Sequence, residues 1–141
     1  YKYIDLDDFI EKEYNVSIDE LINCNQEAEF RSLETKALKT LLKTDKTVIS
    51  TGGGIIEDKQ NKDFMDGVIV FLNVNIEVLE KREKVSKQRP LLQTNTLLEI
   101  YNRRINKYYS FADIIIKEEQ KELTIKTIIK SLKEAGYLWK V

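Results

Sequence analysis

The sequence predicts an α/β domain built on a parallel sheet, and three observations carry that expectation. Short β-branched runs alternate with longer stretches of helical periodicity, the pattern that successive βαβ units leave in a chain. One run, Val68-Ile69-Val70-Phe71-Leu72, is apolar at every position, as a strand covered on both faces must be. Another, Val48-Ile49-Ser50, runs into Thr51-Gly52-Gly53-Gly54, which holds three of the five glycines in the chain. Glycine loses more backbone freedom on folding than any other residue, so a triplet is costly. What it permits is close approach, with a ligand lying on bare backbone and N–H groups turned toward it. In open α/β sheets ligands sit beyond the carboxyl ends of the strands, where these glycines fall. A flexible turn between strand and helix would use the same residues, and the rest of the chain decides between the two.

Each element follows in order. Tyr1 to Leu6 alternates and carries β formers, a short strand ending in Asp5-Leu6-Asp7-Asp8. A helix then runs through Phe9, Ile10 and Tyr14. Ser17-Ile18-Asp19-Glu20 has the spacing of a capping box and opens a short helix to about Cys24. From Gln26 to Lys43 comes the clearest helix, with Phe30, Leu33, Ala37, Leu38, Leu41 and Leu42 on one side. Within it Glu27, Arg31 and Glu34 share a face. The glycine-bearing strand follows, then an expected helix from Glu57 to Met65 and the apolar strand from Val68 to Leu72. Asn75 can cap a helix from Ile76 to about Glu83. The basic stretch Lys81 to Thr94 contains the only proline, Pro90. Leu97 to Phe111 is helical, Asp113 to Lys117 a strand, and Thr124 to Ala135 a last helix capped by Gly136.

Composition narrows the chemistry. At 141 residues and 42% hydrophobic content, one domain covering residues 1–141 with a full core is expected. The formal charge is -1 with 33% charged residues of mixed sign, which points to neither nucleic acid nor a membrane surface. No apolar run approaches the roughly 18 residues that span a bilayer, and the start has no signal-peptide pattern. A cytoplasmic protein is expected. The single cysteine, Cys24, leaves no internal disulfide and no CxxC site. The chain has no histidine, which removes Ser-His-Asp catalysis and the usual zinc sites. Acid–base and metal chemistry must then use carboxylates, and oxygen ligation favours ions such as Mg²⁺.

The candidate residues each have two accounts. Asp5 and Asp7 leave the first strand on the same side. One could hold a hydrated metal while the other accepts a hydrogen bond or proton from a hydroxyl; equally, Asp7 or Asp8 could simply cap a helix. Arg31 could serve a ligand or only pair with Glu27 or Glu34. In Arg89-Pro90-Leu91-Leu92, Arg89 could stabilise phosphoryl charge or merely be solvated. Arg103 and Arg104 are cations in the second half of a helix, where the dipole mildly favours them.

Taken together, Ile4-Asp5-Leu6-Asp7, Glu29-Phe30-Arg31-Ser32-Leu33-Glu34, Thr51-Gly52-Gly53-Gly54, Arg89-Pro90-Leu91-Leu92, and Arg104 with Tyr108, Ala112 and Asp113 occur in an order that resembles the shikimate kinase family. The resemblance runs from the first residue to about Asp113. It implies a three-layer P-loop kinase-like fold with a central parallel sheet and a lid at about residues 81–94. It also implies transfer of the ATP γ-phosphoryl group to the 3-hydroxyl of shikimate, with Mg²⁺, by a monomer. Carried over by position, Asp5 matches the aspartate that organises the Mg²⁺ water shell. Asp7 matches the one that binds the shikimate hydroxyls and can act as base. Arg31 matches an arginine for the shikimate carboxylate and Arg104 a second one. Phe30 would pack beside the ring, Glu34 would orient Arg31, and Gly52, Gly53 and Gly54 would offer backbone N–H groups. Arg89 is similar to the lid arginine between γ-phosphate and substrate, and Arg82 to the arginine that stacks on adenine.

Two departures accompany the resemblance. The family's strand, G-x-x-x-x-G-K-[ST] loop and helix before Tyr1 are not in these 141 residues. A longer natural protein is therefore expected, and residues 1–141 alone are not expected to turn over. Glu118-Glu119-Gln120-Lys121-Glu122-Leu123 also lacks the proline usual in the adenine-side segment. A catalytically inactive binding domain of the same kind, or a kinase for another small metabolite, are the alternatives.

Overall fold

The computed structural model describes residues 1–85, 96–117 and 119–137. Their contacts fall into two compact units, Tyr1–Asp66 and Gly67–Val141.

In the first unit β1 (Lys2–Asp5) lies parallel to β2 (Thr47–Ser50), with Tyr3 opposite Val48, Ile4 opposite Ile49 and Asp5 opposite Ser50. β1 ends where Asp5 becomes the N-cap of α1 (Leu6–Tyr14): its backbone stays extended and its carboxylate accepts the N–H groups of Asp7 and Asp8. The cap is thus Asp5, and Asp7 and Asp8 occupy the first turn, where the helix dipole favours negative charge. α1 stops at Asn15, left-handed at φ 52°, a conformation that asparagine tolerates. Ser17 caps α2 (Ile18–Asn23) by accepting the Glu20 N–H at 3.3 Å. The longer α3 (Glu27–Leu41) buries Phe30, Leu33, Ala37, Leu38 and Leu41, which recur every three or four residues and form one face. That face packs on α1 and α2 and on the segment after β2, meeting Leu6, Ile10, Leu21, Ile55 and Ile56 as the core of the unit.

The expected helix from Glu57 to Met65 is instead two short 3₁₀ segments, Ile55–Glu57 and Lys59–Phe64. They are broken at Asp58, whose backbone is extended and whose side chain accepts the Gln60 N–H at 2.9 Å, offering the chain an alternative to a helical ladder. The second segment is tied down by Asn61, only 2% exposed. Its amide donates to the Ile55 carbonyl at 2.8 Å and accepts from the Thr35 hydroxyl of α3 at 2.7 Å.

In the second unit β3 (Val70–Leu72) lies parallel to β4 (Ile114–Ile116), Val70 opposite Ile114. The strand begins later than Val68 because the Ile69 N–H is taken by the Asp113 carboxylate at 2.8 Å. α4 (Ile76–Val85) starts at Asn75, whose side chain accepts the Glu77 N–H. α5 (Leu97–Phe111) opens with a reciprocal capping box between Thr96 and Glu99 and buries Ile100, Arg104 and Phe111. Phe71 stacks on Tyr108 with centroids 4.9 Å apart and meets Tyr109 edge-on at 5.8 Å. α6 (Lys121–Glu134) packs on β4 and begins ahead of the expected Thr124. Gly136, at φ 81°, supplies the left-handed residue that ends it. Both strand pairs are parallel, as an α/β chain requires. No helix among the described residues is long and apolar enough to cross a membrane.

Candidate active site

The first unit gathers Asp5, Asp7, Phe30, Arg31, Glu34, Gly52 and Gly54. Asp5 and Ser50 are register partners at the ends of β1 and β2, so their side chains emerge together. Ser50 Oγ donates to Asp5 Oδ2 at 2.8 Å, and the Tyr3 hydroxyl, two residues back on the same face, lies 3.0 Å from Ser50 Oγ. Asp5 Oδ1 accepts the N–H groups of Asp7 at 3.0 Å and Asp8 at 3.2 Å. Burial acts to raise the Asp5 pKa, but the hydrogen bonds from Ser50, Asp8 and Asp7 outweigh it and hold this carboxyl below the usual range.

Asp7 is the opposite case. Burial first, and then the charge of Asp5, push its pKa up against the pull of Arg31. Its Oδ1 is buried and has no hydrogen-bond partner among the described residues. A carboxylate oxygen left so is expensive, and a ligand hydroxyl would satisfy it. A Cβ on Gly52 would stand 3.5 Å from Asp7 Oδ1 and 3.7 Å from Glu34 Oε1, so the bare backbone of Gly52 borders both acids.

Arg31 pairs with both glutamates that its spacing offered. Nη1 donates to Glu34 Oε2 at 2.6 Å and Nη2 to Glu27 Oε1 at 3.0 Å. Its guanidinium lies over the Phe30 ring, 4.9 Å from the centroid. Burial alone would lower the Arg31 pKa; Glu34, then Glu27, more than offset it and keep the group cationic. Glu34 is itself 0% exposed, an acid that can be buried because this cation stands against it.

The guanidinium occupies the space where a side chain on Gly54 would begin. Gly54 has φ -86° and ψ -7°, a backbone any residue adopts, so close approach alone requires glycine there. Gly54→Ala should therefore push Arg31 off Glu34 and destabilise the fold by about 1–3 kcal/mol. Gly52→Ala, whose Cβ would meet only ordinary contacts, should leave the urea midpoint nearly unchanged. Equal unfolding midpoints for the two variants would contradict this packing.

Of the other residues expected at a site, Phe30 is buried beneath Arg31, and Gly53 lies between the two glycines just described. Arg104 is buried on α5 and Arg82 is exposed on α4, both in the second unit. Arg89, Pro90 and the stretch 86–95 of the expected lid lie outside the described residues. Sequence reasoning missed Tyr3 and Ser50. Their link to Asp5 depends on the β1–β2 register, which no local pattern spells.

For a metal, no group of three or more His, Cys, Asp or Glu side chains is assembled among the described residues. Asp5 is a single anionic carboxylate whose oxygens already accept N–H and O–H groups. That suits an ion such as Mg²⁺, which keeps its waters and needs only one or two protein carboxylates beside phosphate oxygens.

Residues 1–133 match the family model for shikimate kinase. The chain belongs to the shikimate kinase family. It is 37% identical over 135 residues to the shikimate kinase of Aquifex aeolicus (strain VF5), an alignment covering 92% of this chain and 80% of that one. It is 38% identical over 134 residues to a shikimate kinase of Staphylococcus epidermidis, covering 92% of this chain and 78% of the relative. Among solved structures it resembles the shikimate kinase from Acinetobacter baumannii in complex with shikimate, with a TM-score of 0.84 and 28% identity over 94% of this chain and 79% of that one. The fold is that of this kinase family, α/β with parallel strand pairing.

Proposed function

We propose that this protein is an ATP-dependent shikimate kinase, transferring the γ-phosphoryl group of ATP to the 3-hydroxyl of shikimate to give 3-phosphoshikimate in aromatic amino acid biosynthesis. Membership of the family supports the reaction. The observation that carries it at the level of residues is the meeting, within one unit, of a clamped guanidinium and an unpartnered carboxylate oxygen beside bare glycine backbone.

The substrate is a small anionic polyol. Arg31 is suited to its carboxylate, since Glu34 presents the guanidinium already oriented and two of its five donors are engaged by the glutamates. Asp7 is suited to a hydroxyl: Oδ1 can accept the hydrogen bond and then the proton as the oxygen attacks phosphorus. The environment that raises its pKa makes it a better base than an ordinary aspartate. Gly52, Gly53 and Gly54 would line the substrate with backbone, and Phe30 would back the ring while supporting Arg31. Mg²⁺, when bound with ATP, neutralises charge on the phosphates, and Asp5, held anionic by Ser50 and two backbone N–H groups, would meet its waters. The roles of Arg104 at the carboxylate, Arg89 at the transferring phosphoryl group and Arg82 at adenine rest on the sequence resemblance alone.

The test is a coupled ADP-release assay on the protein expressed from its complete reading frame. ADP release should depend on shikimate and on Mg²⁺. Release that ignores shikimate, or a strong preference for another hydroxy acid, would overturn the assignment.

A further inference from the structure

The two carboxylates on Arg31 differ in character. Glu34 is the anchor: its side chain is 1% exposed and meets Nη1 at 2.6 Å. Together with the Phe30 ring beneath the guanidinium, it fixes where the charge lies. Glu27 adds little to that. It stands in the first turn of α3, its side chain is 46% exposed, and its bond to Nη2 is the longer one at 3.0 Å. A helical pair at this spacing whose acid lies half in water holds weakly and exchanges readily with solvent.

Nη2 and Nε form one planar edge of the guanidinium, an edge that a carboxylate grips with both oxygens. Arg31 Nε is buried and makes no hydrogen bond among the described residues. That edge therefore carries a displaceable carboxylate on one donor and nothing on the other. Charge argues the same way. Asp5, Asp7, Glu27 and Glu34 share a single cation, Arg31, among the site residues of the first unit, so a further carboxylate enters against like charge unless one of them leaves. Asp5 is held by hydrogen bonds from Tyr3, Ser50 and the Asp7 and Asp8 N–H groups and Glu34 is buried, whereas Glu27, its side chain 46% exposed, can swing into water.

We propose that Glu27 is a built-in stand-in for the substrate's carboxylate: it occupies the outer edge of Arg31 in the free protein and is exchanged for that carboxylate on binding. This rests on the shikimate reading of the site. Glu27 then sets both affinity and selectivity. A ligand must bring a carboxylate able to displace it, and a neutral polyol of the same shape leaves the pair closed.

The test is calorimetric titration of the protein with shikimate and with its uncharged methyl ester, for the parent and for Glu27→Gln and Glu27→Ala. Removing the Glu27–Arg31 pair, which shikimate must otherwise break, should tighten shikimate binding about two- to fivefold in both variants. Affinity for the ester should not change. Unchanged or weaker shikimate binding in the variants, with the parent binding normally, overturns the role of Glu27. An equal gain for the ester overturns it too, since charge exchange would not be the cause. A parent that binds no shikimate sinks the functional reading itself, which is a different result from either.

Discussion

Replacing Arg31 with alanine is expected to remove shikimate binding and to weaken the fold at the same time. The affinity loss follows from the charge-assisted hydrogen bonds to a carboxylate; two of them make at least about a hundredfold in Kd. The stability loss comes from Glu34. Its side chain is 1% exposed and its partner at 2.6 Å is the Arg31 guanidinium. Taking away one partner of a buried ion pair strands the other, at a cost of about 3–5 kcal/mol. The two effects separate in a second variant. Arg31→Ala combined with Glu34→Gln no longer buries a charge, so the urea midpoint should recover in part while shikimate binding stays lost. If the double variant regained shikimate affinity, Arg31 would matter only for folding; if the single variant unfolded no earlier than the parent, Glu34 would not be buried as described.

That coupling shows where sequence stops informing. The alternation of strands and helices was legible because long periodic stretches such as those of α3 and α5 show their buried face in spacing alone. The candidate site could be read as an order of short motifs, since its residues sit at element ends: Asp5 closing β1, Asp7 in the first turn of α1, the glycines after β2. Arg31 with Glu27 and Glu34 could be read as neighbours from a spacing of four and three. What spacing could not show is that Glu34 faces inward. From sequence alone Arg31 therefore looks removable without harm to the fold, and the buried acid overturns that. The Asp5–Ser50 bond joins residues 45 positions apart and exists only once the strands are in register. The helix expected from Glu57 to Met65 failed for a local reason, because Asp58 caps a fresh turn instead of continuing one. The Thr96–Glu99 capping box, by contrast, is spelled in the sequence by a threonine three residues ahead of a glutamate.

Asp7→Asn should separate activity from stability in opposite directions. Asparagine keeps the shape and can still accept a hydrogen bond, but it cannot take a proton, so kcat should fall about 10²- to 10⁴-fold if Asp7 is the base. Stability should move the other way. Burial and the neighbouring charge of Asp5 raise the pKa of Asp7 in the folded chain. Between the ordinary carboxylate pKa and this raised one, the unfolded chain has lost its proton while the folded chain still holds it. The folded state thus binds more protons there, and stability from this group falls as pH rises through that window and stays lower above it. A neutral asparagine removes that slope, so the variant should melt at a higher temperature than the parent near neutral pH. The gain should shrink as acid protonates Asp7. Activity gives the matching signature: the parent's kcat/KM should rise with pH through the raised pKa, and the residual activity of the variant should lack that limb. A variant that turns over normally would remove Asp7 from the chemistry. One that loses activity but melts earlier at neutral pH would show that its negative charge is needed by the fold, contrary to the buried, unpartnered Oδ1.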